Sequence, residues 1–290
     1  MILPLTVALA LSSSLLWSQG FSDLEALRQR ANKSDLLSEK ILAGLYYAGQ
    51  EVAQDFSEAA RWYRKAADQG DAGAQYTLGL MYANGQGVAQ DHAEAVRWTR
   101  KAADQGNAAA QKNLGAMYRE GQGGMQDYAE AARWYRKAAD QGDAGAQYSM
   151  GLMYAYGQGV QQDFGAAAFW YRKSAEQGEA EGQFALGGMY NLGQGVAQDF
   201  AEAMRWYRKA ANQGDAQAQF ALGGIYDLGQ EVAQDYVQAY MWISLAASRA
   251  KGDDQQTFAG ARDRIAGKMT PAQLAEAQRL AREWKPTPTK

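Results

Sequence analysis

His92 is the only histidine of a chain that contains no cysteine, so few side chains could act as a general base, a nucleophile or a soft metal ligand. It directly follows Asp91 and takes a position that an aromatic residue fills elsewhere in the chain. The aromatic equivalents are Phe56, Tyr128, Phe164, Phe200 and Tyr236. No serine or cysteine motif accompanies His92, so the sequence does not support a catalytic triad. We expect this histidine to fill a packing position.

Recurring acidic residues raise two further possibilities, paired-carboxylate catalysis and calcium binding. The aspartate of the recurring string G-Q-G-x-x-Q-D, for example Asp91, precedes a helix-forming stretch and is explained as a helix N-cap. A catalytic carboxylate pair would have no reason to recur at a fixed interval. The glycines also lack the lysine and third glycine of a phosphate-binding loop. The sequence therefore predicts no cofactor, no metal site and no enzymatic activity.

The fixed interval is 36 residues, and the tryptophans show it most clearly. Six of the eight follow it: Trp62, Trp98, Trp134, Trp170, Trp206 and Trp242. The surrounding sequence divides into six units, here called repeats 1 to 6: 35–70, 71–106, 107–142, 143–178, 179–214 and 215–250. Positions within a repeat are numbered from 1 to 36. Such a period is typical of solenoids, whose units bury their apolar faces against their neighbours.

Each repeat contains two segments of helical periodicity. In repeat 2, Leu78 and Met81 lie on one apolar stripe, and Trp98 and Ala102 lie on another. A helix of about 13 residues is marginal alone, so each needs a partner for its apolar face. We expect the tryptophans to fill the space between successive repeats.

The ends of the two helices are marked by charged residues and glycines. Asp91 with Glu94 predicts an acidic capping box, in which each side chain accepts from the other's backbone N–H. Gly85 and Gly106 predict left-handed helix ends. Glycine also recurs within the first helix, as at Gly79, where it costs about 1 kcal/mol relative to alanine. Close approach of a neighbouring helix would explain it.

Arginines of the second segment predict a solvated outer face. Each precedes an acid by four residues, the spacing of a helical ion pair. The pairs are Arg64 with Asp68, Arg100 with Asp104, Arg136 with Asp140, and Arg172 with Glu176.

The string A-x-x-Q-x-x-L-G-x-M-Y-x-x-G-Q-G-V-x-Q-D, followed by E-A-x-R-W-Y-R-K-A-A-D-Q-G, resembles the Sel-one-like repeat (SLR) family, a relative of the tetratricopeptide (TPR) repeat. The resemblance covers 35–250 and departs at the ends, where Glu51 and Glu231 replace a loop glycine. It implies an all-α fold, a right-handed α/α superhelical solenoid with first helices on the concave surface. It also implies an adaptor in protein complexes, and many bacterial members are exported.

Outside the repeats we expect four further segments. Residues 1–20 resemble a signal peptide cleaved before Phe21, which gives a periplasmic or secreted protein with no membrane insertion after cleavage. Residues 21–34 form a lead-in helix that starts at Ser22. Residues 251–284 form a helical C-terminal cap, with a capping box from Thr270 to Gln273, and 285–290 form a disordered tail.

If the family geometry holds, the concave surface consists of positions 3, 6, 10, 13 and 14. The candidate partner-binding residues are Tyr76, Leu80, Lys112, Arg119, Tyr148, Leu152, Tyr156, Phe184, Leu192, Phe220 and Leu228. Exposed aromatic residues suit peptide recognition. The aromatic residues at position 6 could instead pack between neighbouring first helices, and the sequence leaves both interpretations open.

These observations favour a non-catalytic adaptor that binds a peptide or protein segment. The formal net charge of -3, with acids and bases interspersed, argues against a nucleic-acid partner. Two alternatives stay open: an envelope polysaccharide-binding protein, and a β-lactam-hydrolysing enzyme of the kind described among cysteine-rich relatives. The sequence does not identify the partner.

Overall fold

The computed structural model describes residues 24–229 and 232–287, and in them it contains fifteen helices and no strand. The predicted signal segment, its cleavage point and the helix start at Ser22 lie outside the described residues.

Helix α1 spans Leu24–Asn32. The first helices of repeats 1 to 6 are α2 Leu36–Ala48, α4 Ala72–Asn84, α6 Ala108–Glu120, α8 Ala144–Tyr156, α10 Ala180–Leu192 and α12 Ala216–Leu228. The second helices are α3 Phe56–Asp68, α5 His92–Asp104, α7 Tyr128–Asp140, α9 Phe164–Glu176, α11 Phe200–Gln213 and α13 Tyr236–Arg249. Helices α14 Asp253–Ala266 and α15 Pro271–Glu283 follow the repeats.

The helices belong to two compact units. Unit 1 ends at Gln141 and contains α1 to α7, and unit 2 begins at Gly142 and contains α8 to α15. Within each unit, a first helix packs against the second helix of its own repeat and against that of the preceding repeat. None of the helices in 24–229 and 232–287 is long and apolar enough to cross a bilayer.

Helix ends follow the predicted chemistry, with one correction. The Asp71 carboxylate accepts from the Ala74 backbone N–H at 2.7 Å, and Gly85 ends the same helix with φ 67°. Asp91 likewise caps α5, but the reciprocal half of the predicted capping box is absent. The Asp91 backbone N–H donates to the Tyr82 carbonyl at 3.0 Å, because the chain turns back onto the first helix there. Glu94 instead accepts from the Trp98 indole N–H at 3.0 Å.

In repeats 2 to 6, the glycine at position 9 of the first helix faces the second helix of its own repeat. A Cβ on Gly187 would lie 2.7 Å from Tyr207 Cδ1 and 3.2 Å from the Ala203 carbonyl oxygen, which is closer than side chains tolerate. The expected close approach of a neighbouring helix is confirmed here. A larger residue in place of Gly187 would push these two helices apart.

Tryptophan fills the space between successive repeats of one unit, as predicted. Trp206 of repeat 5 packs in a cluster with residues of repeats 4 and 5, which are Ala167, Ala168, Tyr171, Ala175, Leu186 and Met189. Burial of so large a side chain stabilises the contact by several kcal/mol, since truncation to alanine typically costs about 3–5 kcal/mol.

A buried glutamine at position 5 bonds to the preceding repeat through one end of its amide and to its own repeat through the other. Gln183 Nε2 donates to the Ala175 carbonyl of repeat 4 at 3.2 Å, while its Oε1 accepts from Gln213 Nε2 at 2.8 Å. Gln75 makes the equivalent bonds in unit 1. In repeat 6, Arg249 replaces the glutamine partner, and Gln219 Oε1 has no hydrogen-bond partner among the described residues.

The arginines of the second helices contact tyrosines of the following repeat. Of the four predicted ion pairs, the described residues form only one, in which Arg136 Nε lies 3.0 Å from the Asp140 carboxylate. Arg172 donates to the Tyr190 hydroxyl at 2.7 Å. Arg64 and Tyr82 pair in the same way, as do Arg208 and Tyr226. The prediction of outer-face pairs is therefore wrong elsewhere, because the long guanidinium side chain reaches the next repeat.

Helices α14 and α15 cover the end of repeat 6. Phe258 of α14 stacks on Phe220 with ring centroids 4.2 Å apart. The capping box of α15 is confirmed, with the Thr270 N–H donating to Gln273 Oε1 at 2.9 Å. Within the tail that the sequence predicts to be disordered, the Thr287 N–H donates to the Asn212 carbonyl at 2.7 Å.

Candidate interaction surface

The side chains considered for catalysis or metal binding do not converge on a site. His92 is exposed, so the predicted packing position is wrong for its side chain; its aromatic equivalents in the described repeats are half-buried. The main chain of His92 does pack closely, since a Cβ on the loop glycine Gly123 of repeat 3 would lie 2.6 Å from the His92 carbonyl oxygen. Within residues 24–229 and 232–287, no group of three histidine or acidic residues could hold a metal ion.

The predicted aromatic residues at position 6 lie against the second helix. Tyr148 contacts Tyr171 with ring centroids 5.7 Å apart, and Phe184 contacts Tyr207 at 5.6 Å. Each aromatic residue is half-buried, so one edge of its ring stays accessible. Packing is therefore part of their role. Both also pack against apolar clusters that include the first helix of the next repeat, with Leu186 beside Tyr148 and Leu222 beside Phe184.

The predicted residues at position 14 are the exposed ones. Tyr156, Leu192 and Leu228 are 70%, 63% and 66% exposed, and they end the first helices of three successive repeats in unit 2. Each stands directly before a glycine with positive φ that ends its helix. Large apolar side chains so exposed, aligned at one interval, are typical of an interaction site. We call positions 3, 6, 10, 13 and 14 of α8, α10 and α12 the first-helix face of unit 2.

Two glycines lie at position 10 of this face. A Cβ on Gly224 would meet no atom within 4 Å, and one on Gly188 would meet only the Tyr207 hydroxyl at 3.8 Å. They sit between Phe184 and Leu192 on α10 and at the same places on α12. The sequence analysis missed them, although the doubled glycines 187–188 and 223–224 were a visible signal.

Six matches to the Sel1 repeat model cover residues 41–71, 72–107, 108–143, 144–179, 180–215 and 216–250. The chain belongs to the Sel1 repeat family. This assignment confirms the predicted all-α repeat fold and the recognised family, whose members are generally protein-interaction scaffolds.

The solved structures that are similar to this Sel1 repeat chain include two with more than 30% identity. A Sel1 repeat protein from Oxalobacter formigenes is 36% identical with a TM-score of 0.68, and the match covers 76% of this chain and 86% of that one. The protein c5321, a protective antigen present in uropathogenic Escherichia coli strains and displaying an SLR fold, is 34% identical with a TM-score of 0.63. That match covers 89% of this chain but only 62% of c5321. No curated protein matches the chain.

The Sel1 repeats of unit 1 present a different surface at the predicted positions. Tyr76 and Leu80 are half-buried, and Tyr76 packs against the core formed by repeats 2 and 3. Lys112 and Arg119 are also half-buried, and Arg119 forms an ion pair with Glu120 at 3.0 Å. Position 14 is Ala48, Asn84 and Glu120 in these repeats. The exposed apolar row is therefore a property of unit 2 alone.

Charge is unevenly distributed over the Sel1 helices of unit 2. Helices α8, α10 and α12 contain no lysine or arginine, and their only charged residues are Glu181 and Asp227. The second helices carry the bases, for example Lys173 and Arg208. Asp227 is paired with Lys268 at 2.8 Å, whereas Glu181 is exposed. The first-helix face of unit 2 is thus apolar with an acidic margin.

Tyr207 places a hydroxyl beneath this face. Its side chain is on α11, the residue is 6% exposed, and the hydroxyl is 3.8 Å from the Cβ position of Gly188. Burial raises the pKa of Tyr207 to about 12, so the hydroxyl stays protonated at neutral pH. It can therefore donate a hydrogen bond to a bound partner.

Proposed function

We propose that this protein is an exported, non-catalytic interaction scaffold that holds a peptide or protein segment on the first-helix face of unit 2. The observation that carries the proposal is the exposed row of Tyr156, Leu192 and Leu228 on three successive repeats. Exposed leucines at one face are costly in water, and a partner that covers them gains about 25 cal/mol for each Å² of apolar area buried.

The polar residues of the repeats support a scaffold over an enzyme. Asp91 caps a helix, Glu94 accepts from Trp98, and Gln183 joins two repeats. Each of these three recurring polar groups thus has a structural partner. Turnover of a β-lactam by the purified protein would favour the enzymatic alternative.

The same row favours a protein segment over a polysaccharide. Sugar rings bind on flat aromatic platforms, but two of the three exposed residues are leucines, Leu192 and Leu228. Leucine side chains suit apolar side chains of a partner. Binding on a glycan array that is lost with Tyr156→Ala would support the polysaccharide alternative.

Export is proposed from the apolar N-terminal segment of the sequence. The similarity to c5321, a protective antigen, supports a location outside the cytoplasm. N-terminal sequencing of the protein from a periplasmic or secreted fraction should give a mature chain that starts at Phe21. A chain that keeps Met1 and stays with the cytoplasm would contradict the export proposal.

The binding proposal is tested by crosslinking the mature protein in its native envelope. We expect Leu192→Ser with Leu228→Ser to abolish the crosslinked product while far-ultraviolet circular dichroism stays unchanged, because both side chains are exposed. Met125→Ser is the matched control, since Met125 is 91% exposed in a loop of unit 1. A product that persists in the double variant, or disappears in the control, would contradict the proposed site.

A further inference from the structure

We infer that the first-helix face of unit 2, together with the adjoining helix α14, binds an amphipathic α-helix. The bound helix lies across α10, α12 and α14 on a floor of glycines, with its apolar stripe inward and basic residues along one flank. This inference rests on the proposed function and specifies the partner's chemistry. It is carried by the glycines, the dimensions of the face, the Tyr207 hydroxyl and the distribution of charge.

The glycine floor has no explanation inside the protein. Gly224 faces open space and Gly188 is in ordinary contact with one hydroxyl only, unlike their neighbours Gly187 and Gly223, which are crowded by the second helix. Glycine within a helix weakens it relative to alanine. A position that carries glycine without any internal contact is suited to close approach of another backbone.

The floor continues onto α14, where the repeat motif itself has ended. Gly260 lies 36 residues after Gly224, and a Cβ there would approach only the flexible Arg264 side chain, at 3.8 Å. Helix α14 lies alongside α12, because Gln217 contacts Asp254 near their starts and Asp227 contacts Lys268 near their ends. Gly188, Gly224 and Gly260 thus recur on three adjacent helices.

The dimensions of the face match the width of a helix. Phe184 and Leu192 are eight residues apart on α10, which is about 12 Å along a helix axis. An α-helix with its side chains is about 10–12 Å in diameter. A bound helix would therefore span the floor from the aromatic row to the leucine row.

Tyr207 supplies a polar contact inside this apolar face. The residue is 6% exposed, and its hydroxyl is 3.8 Å from the Cβ position of Gly188. An acceptor side chain on the partner helix, seated over Gly188, would accept a hydrogen bond from this hydroxyl.

The charged residues at the edges of the face indicate which flank of the partner helix is basic. The edge where α10, α12 and α14 begin carries the exposed acids Glu181, Asp253 and Asp254, with Lys251 as the neighbouring base. The opposite edge carries Asp227 paired with Lys268, together with Arg264. Basic residues on the flank that faces the acidic edge would be complementary, and acidic ones would be repelled.

The test uses the full chain and synthetic peptides of about 20 residues, read by fluorescence anisotropy. The probe is a lactam-stapled helix with leucines on one stripe and lysines along one flank. Three controls keep its length: a central proline that prevents the helix, scrambled leucines, and glutamate in place of lysine. We expect the probe to bind and each control to bind about tenfold more weakly or worse.

Variants of the protein locate the bound helix. Gly224→Leu fills the floor and should weaken probe binding about tenfold, with an unchanged or raised Tm, because the side chain enters open space. Ala201→Leu, on the exposed surface of α11, is the matched control and should bind normally. Tyr207→Phe removes one hydroxyl and should weaken binding severalfold, which provides a second variant that keeps the fold.

Three results would overturn the inference: equal binding of the proline peptide, binding that Gly224→Leu leaves unchanged, or a dimer of this chain that Gly224→Leu dissociates. Failure of the probe while envelope crosslinking still depends on Leu192 and Leu228 would overturn the helix and leave the proposed function standing. Crosslinking that does not depend on these leucines would instead remove the proposed function.

Discussion

Glu39 is the one acid at position 5, where the other repeats carry glutamine. The residue is 1% exposed, and its carboxylate accepts from Gln69 Nε2 at 2.6 Å. Burial raises the pKa of the Glu39 carboxyl above its usual value, and nearby Asp35 acts in the same direction against the hydrogen bond from Gln69 and the charge of Lys65. A charged carboxylate is therefore less favourable here than the amide of the other repeats.

Glu39→Gln should stabilise the protein at neutral pH by about 1 kcal/mol. The new amide can donate to the Ala31 carbonyl, since Ala31 stands where Ala67 accepts from Gln75 in the next repeat. Because the folded-state pKa is raised, the fold favours the protonated form. The wild type therefore regains stability relative to the variant as pH falls through the folded pKa towards the usual value of 4.5.

Urea unfolding at pH 7 and at pH 4 checks this prediction. The midpoint difference between Glu39→Gln and wild type should be positive at pH 7 and smaller at pH 4. Gln75→Glu is the matched control and should show the opposite sign at pH 7. A difference that grows on acidification would contradict the interpretation of the Glu39 environment.

At the scale of the helix pair, two adjacent glycines of α12 have opposite roles. A Cβ on Gly223 would lie 2.9 Å from Ile243 Cδ1 and closer still to its Cγ1, whereas one on Gly224 would meet nothing within 4 Å. The first glycine permits the first helix to approach the second. The other faces outward on the proposed binding surface.

Gly223→Ala should destabilise the protein by about 1–3 kcal/mol because the extra methyl forces the helices apart. Gly224→Ala should stabilise it by up to about 1 kcal/mol, since alanine is the better helix former. Chemical denaturation of the two variants measures both changes in the free energy of unfolding. A change of the same sign in both would contradict the assignment of the two faces.

Arginine–tyrosine contacts and the glutamine ladder operate between neighbouring helix pairs. Arg172 reaches Tyr190 and Gln183 reaches Ala175, each across one repeat boundary within unit 2. Such nearest-neighbour bonds add specificity to a core built mostly of small and apolar side chains, because each fixes the register of one repeat on the next.

At the scale of the whole chain, the C-terminal helices close the apolar end of unit 2. Phe258 and Ile265 of α14 are buried against repeat 6, and Trp284 lies 6.4 Å from Trp242 between ring centroids. Terminal units of a repeat protein need such a cover, since their outer apolar face would otherwise meet water.

Deletion of residues 251–290 should lower stability by several kcal/mol, because loss of a large buried side chain alone costs about 2–5 kcal/mol. It should also cause aggregation through the uncovered Phe220 and Trp242. Truncation after Trp284 is the control and should have a small effect, since it removes the hydrogen bond from Thr287 to Asn212 and leaves both helices. Thermal unfolding with light scattering distinguishes them; equal stability of both truncations would contradict the covering role.

The sequence by itself determined the helices and their order. The N-caps, the left-handed glycine ends and the Thr270 capping box each depend on residues within a turn or two of one another. Such local chemistry is set by spacing alone. The family resemblance and the all-α fold followed from these features, and the position 14 residues were among the predicted site.

Tertiary structure decided which partners the long and aromatic side chains take. Arg172 pairs with a tyrosine of the next repeat, Glu94 with a tryptophan, and Tyr148 with Tyr171, because each side chain can reach several groups and the packing of helices selects one. The same packing buries Gly187 and leaves Gly188 open, though the two are adjacent and chemically identical. Burial depends on the neighbouring helix, and spacing along one chain does not specify it.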